Sequence, residues 1–172
     1  SFALVGESAG PAAPLPSVFA VDVKVPTIET VNSSMRDAEL TRALGGDVAS
    51  EADKLATLNA TSVRVPEITV TMTVRPSADK AASTIVYHYK DIDLEGVSNG
   101  IAQSVTIGGL DDSVKPADGG PAGDSHFEAG KMSAESFDIA STLGFYGYGP
   151  AAGGTTVKPL YRNFSLASAG FT

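Results

Sequence analysis

Ile85–Gly109, IVYHYKDIDLEGVSNGIAQSVTIGG, decides how the fold of this chain is read. At its centre Asn99 and Gly100 both tolerate positive φ, the requirement of a two-residue type I′ turn between antiparallel strands. Such a turn fixes the register: paired residue numbers add to 199. Ile92 then faces Ile107 and Leu94 faces Val105, apolar pairs on one face, while Asp93 and Thr106 fall on the other. Turn chemistry and side-chain pattern agree independently, so a β-hairpin anchors the reading of everything else.

Upstream, Thr61–Val74 alternates strictly, with Ile68, Val70, Met72 and Val74 on one face and Thr69, Thr71 and Thr73 on the other. That pattern predicts a strand with one buried face and one wet threonine face. Val21–Glu29 reads as a shorter strand carrying Pro26, which lacks an N–H and belongs at an edge or a bulge. Between the two, about residues 34–58, the spacing predicts a pair of helices. The first opens at Ser34, with Asp37 three residues on, and ends at Gly45-Gly46. The second opens at Ser50, with an apolar stripe of Val48, Ala52, Leu55, Ala56 and Leu58. Residues 1–20 hold three prolines and two glycines and read as an extended arm or linker. Phe2, Leu4, Val5, Val18 and Phe19 give that arm the means to dock.

Downstream, Leu110–Ser125 reads as a sixteen-residue loop rich in Gly, Pro, Asp and Ser, long enough to be functional. Phe127–Met132 suits a short strand. A third helix is expected at about 134–146, where Met132, Phe137, Ala140 and Leu143 share a face. After a second loop at 147–156, Val157–Thr172 reads as the last strand. Residues 21–172 thus form a single β-rich domain. The expected fold is mainly β: one or two antiparallel sheets, sandwich-like or elongated and layered, with two or three short inserted helices.

Two internal echoes stand out. Val23-Lys24-Val25-Pro26-Thr27-Ile28 resembles Val63-Arg64-Val65-Pro66-Glu67-Ile68, and Tyr89-Lys90-Asp91-Ile92-Asp93-Leu94 resembles Tyr161-Arg162-Asn163-Phe164-Ser165-Leu166. Their spacings differ, so no regular repeat is present. Duplicated strands holding equivalent places in related sheets are the expectation, with convergent strand chemistry as the alternative.

Composition narrows the function. The 172 residues carry no cysteine, a net charge of −8 and a sequence pI near 4.6. An acidic chain without a basic run repels phosphates and anionic lipid headgroups, which argues against nucleic-acid binding. No apolar run approaches the roughly 20 residues of a membrane helix. A chain free of thiols suits export, so a periplasmic or secreted location is expected. The start at Ser1 without methionine, and a strand running to the far end, read as a processed or excised product.

Catalytic signatures are missing: no GxSxG, HExxH or GxGxxG occurs. Ser77-Ala78-Asp79-Lys80 matches an S-x-x-K string but lies in a turn without its companion motifs. Asp91, Asp93, Glu95 and Gly96 open like a calcium loop, yet position twelve is Ala102. A looser acidic set, Asp111, Asp112, Asp118 and Asp124, gives the long loop the means to hold calcium. His88 and His126 are the only histidines, too few for a three-histidine metal site. Phe127, Met132, Phe137, Leu143, Phe145, Tyr146 and Tyr148 would line a groove between the third helix and the sheet, or simply make core.

The expectation is therefore a non-catalytic exported structural or interaction protein. It would assemble with copies of itself, or dock on a protein partner, through its arm and open strand edges. A carrier of an apolar ligand such as lipid is the alternative, and a hydrolase using loop carboxylates the third reading.

Overall fold

The computed structural model describes residues 2–5, 18–74, 83–116, 125–145 and 159–171. Along them run β1 (Phe2–Val5), β2 (Val18–Lys24), β3 (Glu29–Val31), α1 (Asp37–Leu44), α2 (Val48–Ala56) and β4 (Ala60–Val74). Then come β5 (Ser83–Ser98), β6 (Ile101–Pro116), β7 (Ser125–Ala129), β8 (Met132–Asp138), α3 (Ile139–Phe145), β9 (Arg162–Leu166) and β10 (Ala169–Phe171). All strands join one antiparallel sheet in the order β1-β2-β4-β5-β6-β7-β10, with β3 also on β4, and β8 between β6 and β9. The fold is mainly β with three short helices, as expected, and it is a single sheet.

The central hairpin is the spine of that sheet. β5 and β6 pair from Ser83↔Pro116 to Ser98↔Ile101 in the expected register, with Ile92 opposite Ile107 and Leu94 opposite Val105. Asn99 and Gly100 take φ of 48° and 74°. The turn is also where the helices meet the sheet: Gly100 N donates to Leu58 O (2.9 Å), Ile139 N donates to Gly100 O (2.8 Å), and Asn99 N donates to Asn59 Oδ1 (3.0 Å).

Two lines of broken pairing cross the strands. On the first, Pro66, Asp91 and Gly108 are skipped between the paired rows of Val65–Ile92–Ile107 and Glu67–Lys90–Gly109. The line continues through residues 25–28 on one flank, and through Gly130-Lys131 and Ala167-Ser168 on the other. There Gly130 N donates to Ser168 O and Ala167 N to Lys131 O, both at 2.9 Å. The second line passes through Thr61, Gly96, Gln103 and Ser136, which the ladders skip likewise. Gly96 and Ser136 have φ of 60° and 51°. On both lines the paired strands of β4, β5 and β6 each skip one residue, so the register continues unchanged across them.

The helices lie on one side of the first line. There Leu40, Ala43, Leu55 and Leu58 close over Val63 and Val65, the latter 1% exposed. Capping explains the helix limits. α1 begins at Asp37 because Glu39 accepts the Arg36 N–H (2.9 Å) at its third position. Ser34, expected as the cap, instead accepts from Asn59 N at 3.0 Å and ties the approach to α1 to the exit from α2. α2 begins at Val48, two residues before Ser50. Lys54 bridges the pair, reaching Glu39 at 2.8 Å and Glu51 at 2.9 Å.

Beyond the first line the sheet continues as a far half with alternating rows. Ile68, Tyr89, Leu110 and Ala129 share one row, and Thr69, His88, Asp111 and Glu128 the next. The expected contrast between a buried aliphatic face and a wet threonine face is weak: Val70, Met72, Thr69 and Thr71 are all half-buried. Ile68 alone among the aliphatic row of β4 packs against the core. The reason is that the helices sit on the other half.

Several boundaries differ from the sequence reading. Leu110–Pro116 is strand, paired to β5 and in part to β7, and Ser125 opens β7, so eight of the sixteen residues expected as a loop at 110–125 are strand and the other eight lie outside the described residues. Residues 132–138 form β8 and not the start of a helix, because Met132 and Ala134 extend the rows of Ile107 and Val105. α3 starts only after Asp138, whose carboxylate accepts from Ser141 N (2.8 Å) and Ser141 Oγ (2.7 Å). The strand expected at 21–29 is two, β2 and β3, split at Pro26. At the N-terminus Phe2–Val5 pairs as an edge strand on β2, and the rest of residues 6–17 lies outside the described residues.

Candidate interaction surface

The rows over the core do not stop where the helices stop. Val63, Leu94, Val105 and Ala134 occupy one level, and Val65, Ile92, Ile107, Met132 and Leu166 the next. The same apolar face therefore runs on through β8 to β9, past the helical cover. At that end Val105, Ile107, Met132, Ala134, Phe137, Tyr161 and Phe164 line a half-open groove of about 170 Å³. Tyr161 and Phe164 rings pack at 5.7 Å, a separation favoured for tilted aromatic pairs.

β9 and β10 close the sheet on this side, and every described residue from Tyr161 to Phe171 is exposed. Among the described residues, four of the six exposed large apolar side chains belong here: Tyr161, Phe164, Leu166 and Phe171, the last 75% exposed. The other two are Val31 and Ile101. β9 is held to β8 by a Ser133–Ser165 hydroxyl bond (2.7 Å) and by Asn163 Nδ2 donating to Glu135 (2.6 Å). Among the described residues no strand pairs its outer side. The edge presents open N–H and C=O groups and apolar side chains and carries no acid; Arg162 and the irregular pairing at Asn163 are its guards against other strands.

The groove residues anticipated from sequence separate. Met132 and Phe137 line the groove. Leu143 packs against the helical core, and Phe127 stands on β7 opposite Asp112 in the far half. Phe145 ends α3, while Tyr146 and Tyr148 lie outside the described residues. Tyr161 and Phe164 were not anticipated as groove residues, although the last strand expected at Val157–Thr172 and the second echo both cover them.

The acidic set also divides. Asp111 and Asp112 are neighbours on β6 and so face opposite ways. Asp111 pairs with Lys90 Nζ at 2.6 Å, and its carboxylate holds the Lys90 ammonium above the usual lysine range. Asp112 Oδ1 accepts from Phe127 N at 2.9 Å, pinning β7. Asp118 and Asp124 lie outside the described residues. His88 Nδ1 lies 3.3 Å from Thr69 Oγ1 and 3.4 Å from Glu67 Oε1. Both neighbours lie at one ring nitrogen, as in a cross-strand polar contact between β4 and β5.

Compared with known proteins, the chain matches no family model, and neither the curated proteins nor the solved structures yield a match.

Proposed function

We propose that this chain is a non-catalytic structural or interaction protein, working outside the cytoplasm, that assembles through the open edge of its sheet. The observation that carries the reading is the β9–β10 edge: one side that no described strand pairs, four exposed large apolar residues and an adjoining apolar groove. Strand addition supplies affinity through backbone hydrogen bonds and specificity through pockets for alternate side chains, and this edge offers both. Its titratable groups also suit scaffold work. Glu39–Lys54, Arg42–Glu51, Arg64–Asp93 and Lys90–Asp111 are paired across elements and tie them together.

The size of the groove weighs against the carrier reading. Pockets for drug-sized ligands occupy roughly 300–1,000 Å³, whereas about 170 Å³ suits one partner side chain. Sedimentation velocity across the micromolar range tests the proposal. The sedimentation coefficient should rise with concentration, and Phe164→Asp should suppress the rise while leaving the fold intact. Burying the exposed half of one phenylalanine stabilises by about 1 kcal/mol, so the variant should associate about fivefold more weakly or worse. A chain that stays monomeric throughout refutes the reading.

A further inference from the structure

We infer that the partner of the β9 edge is the β3 edge of a second copy of this chain, joined head to tail so that the antiparallel sheet continues from one subunit into the next. This inference rests on the proposed edge assembly and adds which surfaces meet.

Strand direction allows it. β4 runs from the second broken line toward the far half, and β3, antiparallel to it, runs the opposite way. β9, antiparallel to β8, runs with β4. When two copies are placed side by side in the same orientation, β9 of one therefore lies antiparallel to β3 of the next. The two edges also stand at the same levels. Glu29 shares its transverse row with Arg64, Asp93, Thr106, Ser133 and Ser165. Val31 shares the row of Ser62, Glu95, Ser104, Glu135 and Arg162. Val31, half exposed, stands with Glu29 and Arg162 on the polar face, opposite the face of Phe164 and Leu166.

Charge selects this pairing over β9 with β9. All twenty acids lie at or before Asp138, and residues 139–172 carry only Lys158 and Arg162. Arg162 is thus the one charged residue of β9 and β10, and pairing β9 with β9 would bring two such cations together. The β3 edge carries Glu29, with Asp37 close behind it through a Thr30 Oγ1–Asp37 hydrogen bond of 2.6 Å. Glu29 and Arg162 are both exposed and, among the described residues, neither has an ion-pair partner. Side by side, they stand two rows apart on the polar face, a diagonal that long side chains span. Because the two edges differ, the contact is heterologous and continues into a ring or a filament.

Charge reversal with native mass spectrometry tests the inference. Glu29→Arg and Arg162→Glu should each lower the multimer population, with apparent affinity down roughly three- to tenfold. An equimolar mixture of the two should recover it, since each then meets an edge of opposite sign. If Glu29→Arg assembles like the wild type while Arg162→Glu does not, β9 pairs with itself, which overturns the head-to-tail contact and leaves edge assembly standing. A wild-type chain that stays monomeric overturns both.

Discussion

A Cβ at Gly100 would lie 2.1 Å from the Ala56 carbonyl oxygen and 2.7 Å from its carbon, with φ already at +74°. Backbone on both sides leaves nothing flexible to yield, so α2 would have to move. Gly100→Ala should cost about 2–3 kcal/mol or more, read as a drop in the urea midpoint. Asp91 takes φ of 49° inside β5, where a β-branched residue is strained by about 1–2 kcal/mol. Asp91→Val should therefore lower the midpoint and Asp91→Gly should not. Asn163 holds φ of 47° at the matching place in the second echo. What the two Tyr-x-Asx segments share is an Asx residue that tolerates a left-handed kink, since their strands run in opposite directions in one sheet. In the other echo, Pro26 and Pro66 both stand on the first line of broken pairing, where a missing N–H is least harmful. Local strand chemistry accounts for both likenesses. Glu39 is the most perturbed acid described: the Lys54 ammonium, then the Arg36 N–H and guanidinium, lower its pKa from 4.5 to about 2. A depressed folded-state value makes its contribution full above about 4.5 and lost as pH falls toward 2. The melting-temperature gap between wild type and Glu39→Gln should accordingly be open at pH 7 and nearly closed at pH 2.

Among the elements, α3 depends most on a single group. It is a seven-residue helix, too short to persist without tertiary help, and Asp138 satisfies its first turn through Ser141. Asp138→Ala should cost about 0.5–2 kcal/mol, and circular dichroism during urea unfolding will register it. The sequence made the β5–β6 hairpin legible because Asn99-Gly100 is local chemistry and four aliphatic residues confirm its register. It made the first two helices legible too, but misplaced their starts: Ser34 caps nothing in α1 and spends its hydroxyl on Asn59 N. β6 beyond Leu110 was hidden because Asp111, Asp112 and Ser113 look like loop. They are strand only because β5 and β7 flank them. β8 was hidden for the opposite reason. Met132 and Phe137 also fit a helical face, and only the ladder to β6 decides.

At the scale of the molecule, the arrangement that matters is which strands come last. Tyr161, Phe164 and Leu166 look in sequence like any half-buried strand, and nothing local marks β9 as an edge. Only the order of the sheet leaves one side of it open and extends the core's apolar rows beyond the helices. The acid-free margin of the same strands then lets two chains of net charge −8 approach each other there. Backbone amides on the open side of an edge strand exchange quickly with solvent unless another strand pairs with them. Amide hydrogen exchange of residues 162–166 as a function of protein concentration therefore reads the proposed contact directly. Exchange in β9 should be slow at high concentration and become fast on dilution, while β4 and β5 stay protected throughout. Fast exchange in β9 at every concentration would contradict the proposed contact.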